Sequence, residues 1–208
     1  MGLIQLLFKN PVAFFTLSAL LIYSVIAHEM AHGVAAYFFG DDTAKRAGRL
    51  TLNPFRHIDP VGTLMVFIIG FGWAKPVPVN FLRLRPFRPA LIVVSFAGCF
   101  VNIIIATIAL FLMQFQFAHA NPFISSILLI VARINIILGA FNLIPIPPLD
   151  GSKLLMGFLP KRAQVPIMRL EPYGIPILIV LLFTGLLDPV IRLMMSLVLL
   201  FIKLVLGQ

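Results

Sequence analysis

The chain has 208 residues, 61% of them hydrophobic and 11% charged, with a mean hydropathy of +1.06. A soluble domain is nearer half apolar and one quarter charged, so a water-exposed globule is excluded and the bilayer must be the solvent for much of the surface. The formal net charge of +9 lies between apolar runs, which points to topology and anionic-lipid contact and away from nucleic acid. A single cysteine, Cys99, rules out an internal disulfide framework and is expected to be a small packing residue.

In chain order, the first span is predicted over 11–39. Lys9 precedes it as in a secretory leader, but the run is too long and no small-residue cleavage site closes it, so the segment is expected to be retained. At 1.5 Å per residue it would be roughly 43 Å long, more than a ~30 Å hydrocarbon core, so it must tilt or protrude. Residues 43–88 change character. "GRLTLNP" (48–54) and "AKPVPVNF" (74–81) alternate apolar and polar residues and predict a small β-ribbon, with the prolines confining the second strand to an edge. Between them, 61–72 is apolar but too short to cross, and reads as a re-entrant or interfacial segment. Second and third spans follow over 89–113 and 122–144. "PIPPLDG" (145–151) breaks the helix, and a C-terminal helical region over 174–206 is interrupted at Asp188-Pro189. The fold class predicted is an all-α polytopic membrane protein: a three-helix core plus C-terminal helices, forming one integral membrane domain over 1–208.

Lysine and arginine number eight in 40–88, none in 114–121 and four in 145–173. By the positive-inside tendency the first and third connections face the cytoplasm and the N-terminus faces out, provided 61–72 does not cross. A multi-pass protein of the cell membrane is the expectation. His28 and His32, toward the cytoplasmic end of the first span, can then share a depth with Asp150, just past the third.

Within the first span stands "AHEMAHG" (27–33). Ionisable residues inside a bilayer cost about 2.5–3.5 kcal/mol each at mid-helix and are functional by default. Histidines four apart project from one helix face, and two imidazole nitrogens can converge on one zinc ion. Glu29, one position round, cannot point the same way but can reach a water held by the metal and act as general base. A catalytic zinc needs a third protein ligand and an open position. Asp150 is the candidate, because "NLIPIPPLDG" places it on broken backbone at membrane depth, tolerated only against protein or a watery cavity. The alternative role for Asp150 is an N-cap of a short helix beginning at Gly151.

His28-Glu-Met-Ala-His32, "AGCFVN" (97–102) and "NLIPIPPLDG" (142–151) together resemble the site-2 protease family of intramembrane zinc metalloproteases. The resemblance runs from the first span to about residue 158. It implies a three-helix catalytic core, one Zn2+ bound by His28, His32 and Asp150, Glu29 as base, and transmembrane protein substrates cleaved in or near their membrane segments. The middle-span motif of that family usually has a proline after the glycine, where this chain has Cys99. No peptide-binding insert is present, so the chain looks like a compact member.

Asn102 and Asn142, amides in apolar spans, are candidates for hydrogen bonds to substrate backbone or a developing oxyanion, with interhelical bonding as the alternative. Asn135 reads as structural. Arg133, near the middle of the third span, is expected not to face lipid, with pairing to an acid, binding of helix-end carbonyls and tuning of the site as its open roles. His57 is a conceivable third ligand, but a turn contact with Asp59 is the expectation. An extended substrate adding to a strand edge at 48–54 or 74–81 would present its peptide bonds to the metal. The competing functional classes are a catalytically inactive metal-binding membrane scaffold of the same fold, against which an intact Glu29 speaks, and a metal transporter, which would need polar sites along the whole bilayer.

Overall fold

The computed structural model describes residues 7–62 and 74–207. Three long helices, α1 (Pro11–Phe38), α2 (Phe87–Leu112) and α3 (Pro122–Asn142), form the centre of the molecule. Two of them start on an asparagine followed by proline. Asn10 Oδ1 accepts from the Ala13 N–H at 3.0 Å, and Asn121 Oδ1 from those of Phe123 and Ile124 at 3.0 and 3.3 Å. Each cap satisfies N–H groups that a helix start leaves open, and the proline gives up none that is needed.

The core helices pack antiparallel to their sequence neighbours, His28 beside Asn102 and His32 beside Val94, then Asn102 beside Asn135. Small buried residues (Ala106, Ala109, Ala132, Gly139, Ala140) let α2 and α3 approach closely, the usual device where lipid offers no hydrophobic drive between helices. Large apolar side chains such as Phe15, Tyr23, Phe100 and Ile108 point outward instead, a surface that suits acyl chains and not water.

After α3, residues 143–149 fold against the C-terminal helices, with Ile144 and Leu149 buried with Leu178 and Leu187. Then come α4 (Asp150–Phe158), α5 (Lys161–Leu170), α6 (Gly174–Phe183) and α7 (Asp188–Leu206). The C-terminal region therefore divides at Asp188-Pro189 into two helices. The first continues back through a 3-10 turn to Lys161, so that Lys161–Phe183 and Asp188–Leu206 join α1, α2 and α3 as five segments long and apolar enough to cross a membrane. α7 closes the bundle, with Val198 and Ile202 against Ile103, Ala106, Ile136 and Ala140.

The β-ribbon is not there: no strand occurs among the described residues. Residues 48–53 are turn, bend and irregular backbone ahead of a 3-10 turn at Pro54–Arg56, and 74–80 is an irregular strap ahead of another at Phe81–Arg83. Alternation misled because side chains and local loop groups take the backbone positions a ladder would use. The Val77 N–H donates to Glu29 Oε2 (2.7 Å), the Asn80 N–H to Asp41 Oδ2 (2.6 Å), and the Lys75 carbonyl accepts from Arg49 Nη2 (2.7 Å). Pro76 and Pro78 have no N–H to offer. The re-entrant segment expected over 61–72 lies, from residue 63 onward, outside the described residues.

Candidate metal centre

His28 lies ten residues and His32 six before the end of α1 at Phe38, and their burial is nearly complete (6% and 8% exposed). Their rings meet edge to face, with Nε2 atoms 3.1 Å apart. Asp150 is the first residue of α4 and makes no capping bond there; Leu149 occupies the cap. Its Oδ2 instead lies 3.0 Å from His28 Nε2 and 2.9 Å from His32 Nε2. The turn at 143–149 delivers it. Gly151 packs so closely on the Leu143 and Ile144 carbonyls that no Cβ would fit, and Ser152 Oγ ties the Leu149 carbonyl at 2.7 Å. His28, His32 and Asp150 form a group whose ligand atoms all lie within 4.8 Å of one another.

The hydrogens on the two rings are decided from behind. Asn102 Nδ2 donates to Asn135 Oδ1 (2.7 Å) and to the Ser24 carbonyl (3.4 Å), which leaves its Oδ1 to accept from His28 Nδ1 at 2.6 Å. His32 Nδ1 donates to the Val94 carbonyl at 2.7 Å. A neutral imidazole protonated on Nδ1 turns a bare lone pair outward on Nε2. Two such lone pairs and a carboxylate oxygen within hydrogen-bonding distance are three acceptors facing one another. A cation resolves that repulsion, and two imidazoles with one carboxylate are a donor set suited to zinc. Gly98 makes the room: a Cβ there would fall 2.5 Å from His32 Nε2 and 2.6 Å from the His28 ring.

Glu29 is not one of the three clustered ligands. Its Oε2 is held by the Val77 N–H, and its Oε1 has no hydrogen-bond partner among the described residues. Asn142, last residue of α3, donates only to the Leu138 carbonyl (3.0 Å) within its own helix. His57 is buried but takes part in neither expected contact: its Nε2 pairs with the Thr51 carbonyl at 2.8 Å, and Asp59 accepts instead from the Gly62 N–H. Cys99 is buried and free. Arg133, expected not to face lipid, is exposed. It stands two positions, and so more than half a helical turn, from the inward-facing Asn135.

Several contributors were not singled out from sequence. Ser24 lies four before His28 on the same helix face, a spacing that could have revealed it. The Val94 carbonyl and Val77 N–H are backbone groups with no side-chain signature.

The family model for peptidase family M50 matches residues 114–185, the stretch that contains Asp150. Among similar proteins, "Putative zinc metalloprotease YwhC" of Bacillus subtilis (strain 168) is 40% identical over 173 residues, covering 80% of this chain and 79% of its own. "Putative zinc metalloprotease Rip2" of Mycolicibacterium smegmatis is 29% identical across 78% of this chain and 64% of its own length. "Zinc metalloprotease MJ0392" of Methanocaldococcus jannaschii is 26% identical across 74% of this chain and 37% of its own. No solved structure matches. A close relative aligned over most of both chains, and a family model spanning the turn that carries Asp150, lead to one conclusion: the chain belongs to peptidase family M50, the site-2 proteases, and is a multi-pass zinc metalloprotease.

Proposed function

We propose that the chain is an intramembrane endopeptidase whose residues 1–208 act as one integral membrane protease domain. His28, His32 and Asp150 hold one zinc ion, Glu29 is the general base, and the substrates are transmembrane segments of other membrane proteins. What supports this most is the meeting of three acceptor atoms with the ring hydrogens turned away from them. The loop charges support a cell-membrane protein with its N-terminus outside and its site toward the cytoplasm.

Bound there, zinc would supply a Lewis acid that acidifies water and polarises the scissile carbonyl. The chain's own groups do the rest. The Glu29 carboxylate takes the proton of the attacking water on its uncommitted Oε1 and returns it to the leaving amine. The Val77 N–H holds the other oxygen and so orients the base. Asn102 keeps His28 in the tautomer that exposes Nε2, and is itself held by Asn135 and Ser24. Of the two asparagine candidates, Asn142 has the free carbonyl oxygen for a substrate contact, whereas both ends of the Asn102 amide are engaged.

The test is zinc content and reporter cleavage with the full chain purified in detergent. Wild type should hold one equivalent of zinc and Asp150→Ala should lose it. Glu29→Gln should keep the metal and lose turnover by about a hundredfold or more. Folded wild type without zinc would remove the metal site from the proposal, and zinc-loaded Glu29→Gln with full turnover would remove the base.

A further inference from the structure

The end of α1 and the start of α2 meet at a cavity that the catalytic reading does not use. Just past α1, the Phe39 carbonyl accepts from the Arg85 N–H at 3.0 Å, two residues before α2 begins. Beside this join lies a polar cavity of about 640 Å³, within the ~300–1,000 Å³ typical of small-ligand sites. Arg46, Arg83 and Arg85 line it together with Asp42, Tyr37 and Leu82.

Three guanidinium groups share this cavity with one carboxylate. Asp42 Oδ2 takes Arg46 Nη2 and Nε at 2.6 Å each, and its Oδ1 takes Arg83 Nη1 at 2.7 Å. Arg85 Nη1 donates only to the Leu82 and Leu84 carbonyls, at 3.0 and 2.9 Å. Three cations against one anion leave two positive charges unbalanced. Lys45 adds another at the rim, where its Nζ donates to the Tyr37 hydroxyl at 3.1 Å. Arginine carries five N–H donors, so each of the three keeps some that no group among the described residues takes. Loop charge that served only to orient the chain would have no reason to converge on one cavity.

The other side of the cavity is apolar. Leu82 is 80% exposed, and so is Phe38, whose ring meets that of Tyr37 edge to face. At the ends of two spans such side chains belong to the boundary between acyl chains and headgroups, the level at which tyrosine also settles. A free anion would use the guanidinium groups alone, whereas an amphiphile uses both sides.

We infer that this cavity seats the phosphate of an anionic phospholipid on Arg46, Arg83 and Arg85, with the acyl chains running past Leu82 and Phe38. Guanidinium groups bind phosphate in a two-pronged manner, and basic pockets between membrane helices hold anionic headgroups. A lipid with a terminal phosphate carries close to two negative charges, the number left unbalanced here. A zwitterionic lipid would bring its own cation against the arginines. The site depends on α1 and α2 spanning a bilayer, and on neither the zinc ligands nor the side of the membrane that the loop faces.

The experiment titrates dioleoyl phosphatidic acid into the full chain in detergent and counts bound lipid by native mass spectrometry, with dioleoyl phosphatidylcholine as the reference. Wild type should bind the first phosphatidic acid about tenfold more tightly than phosphatidylcholine. Arg83→Gln and Arg85→Gln should each weaken phosphatidic acid about tenfold and leave phosphatidylcholine unchanged. Arg56→Gln removes the same charge from an exposed position of the same loop outside the cavity, and should match wild type. Equal binding of the two lipids by wild type overturns the proposal before any variant is made. A loss in Arg56→Gln as large as that in Arg83→Gln also overturns it, because net charge would then carry the effect. Displacement of the lipid by an equal concentration of inorganic phosphate, or of a hexaglutamate peptide, overturns the lipid in favour of a free anion or an acidic protein segment. A lipid-free dimer that Arg83→Gln abolishes overturns it in favour of a second copy. Zinc content, expected to equal wild type in every variant, separates loss of this site from loss of the fold. Folded wild type without zinc would sink the metal centre and leave the lipid measurement standing.

Discussion

Gly98 and Asn102 shape the centre without touching a metal themselves. Alanine is a better helix former than glycine by about 1 kcal/mol, yet at position 98 its methyl would occupy the space in which the two imidazoles meet. Gly98→Ala should therefore leave the protein folded, by thermal unfolding in detergent, and strip its zinc, by metal analysis. Asn102 acts through hydrogen bonds to His28, Asn135 and Ser24. Asn102→Leu should weaken zinc about 10–100-fold in a chelator competition, as loss of an outer partner does elsewhere. Asn102→Asp should recover much of it, because a carboxylate still accepts from His28 Nδ1. A merely structural asparagine would show no such recovery. His28, Glu29 and His32 were legible because helical spacing alone puts the two histidines on one face and the glutamate off it. Gly98 and the Val94 carbonyl were not, since their roles exist only where α1 and α2 meet.

The strap at 74–80 and the turn at 143–149 are the irregular elements that serve the site. The strap passes over α1 at Gly33, where an added Cβ would strike Leu50 and Val77, and gives one backbone N–H to Glu29. Val77→Pro should keep zinc and lower turnover about 10–100-fold, the kinetic equivalent of one hydrogen bond to a charged group. Val77→Ala, which retains the N–H, should stay close to wild type. Equal losses in the two would assign the effect to packing of the side chain. The period-2 pattern was a false signal of strand pairing. Which groups satisfy an irregular segment depends on what lies beside it, and here Glu29, Asp41 and Arg49 lie beside it.

For the molecule as a whole, topology is the property most open to a direct test. In a Cys99→Ala background, single cysteines at Lys75 and at Phe117, both exposed, should react with a membrane-impermeant maleimide from opposite sides of the bilayer, Lys75 from the cytoplasmic one. Labelling from one side would refute the orientation taken from loop charges. The sequence by itself determined that the chain is a membrane protein, the places of the three core helices, and the family, because composition, run length and motif spacing are local quantities. It also carried the HEMAH face and the aspartate after the proline turn. Only the tertiary structure decided that Asp150 reaches the two histidines, that Asn102 and Val94 set their tautomers, that 74–80 is a strap and not a strand, and that Arg133 faces outward. Each of these depends on which groups from distant parts of the chain become neighbours, and in a bundle that is settled by small residues at the crossings and by the polar groups that must find partners away from water.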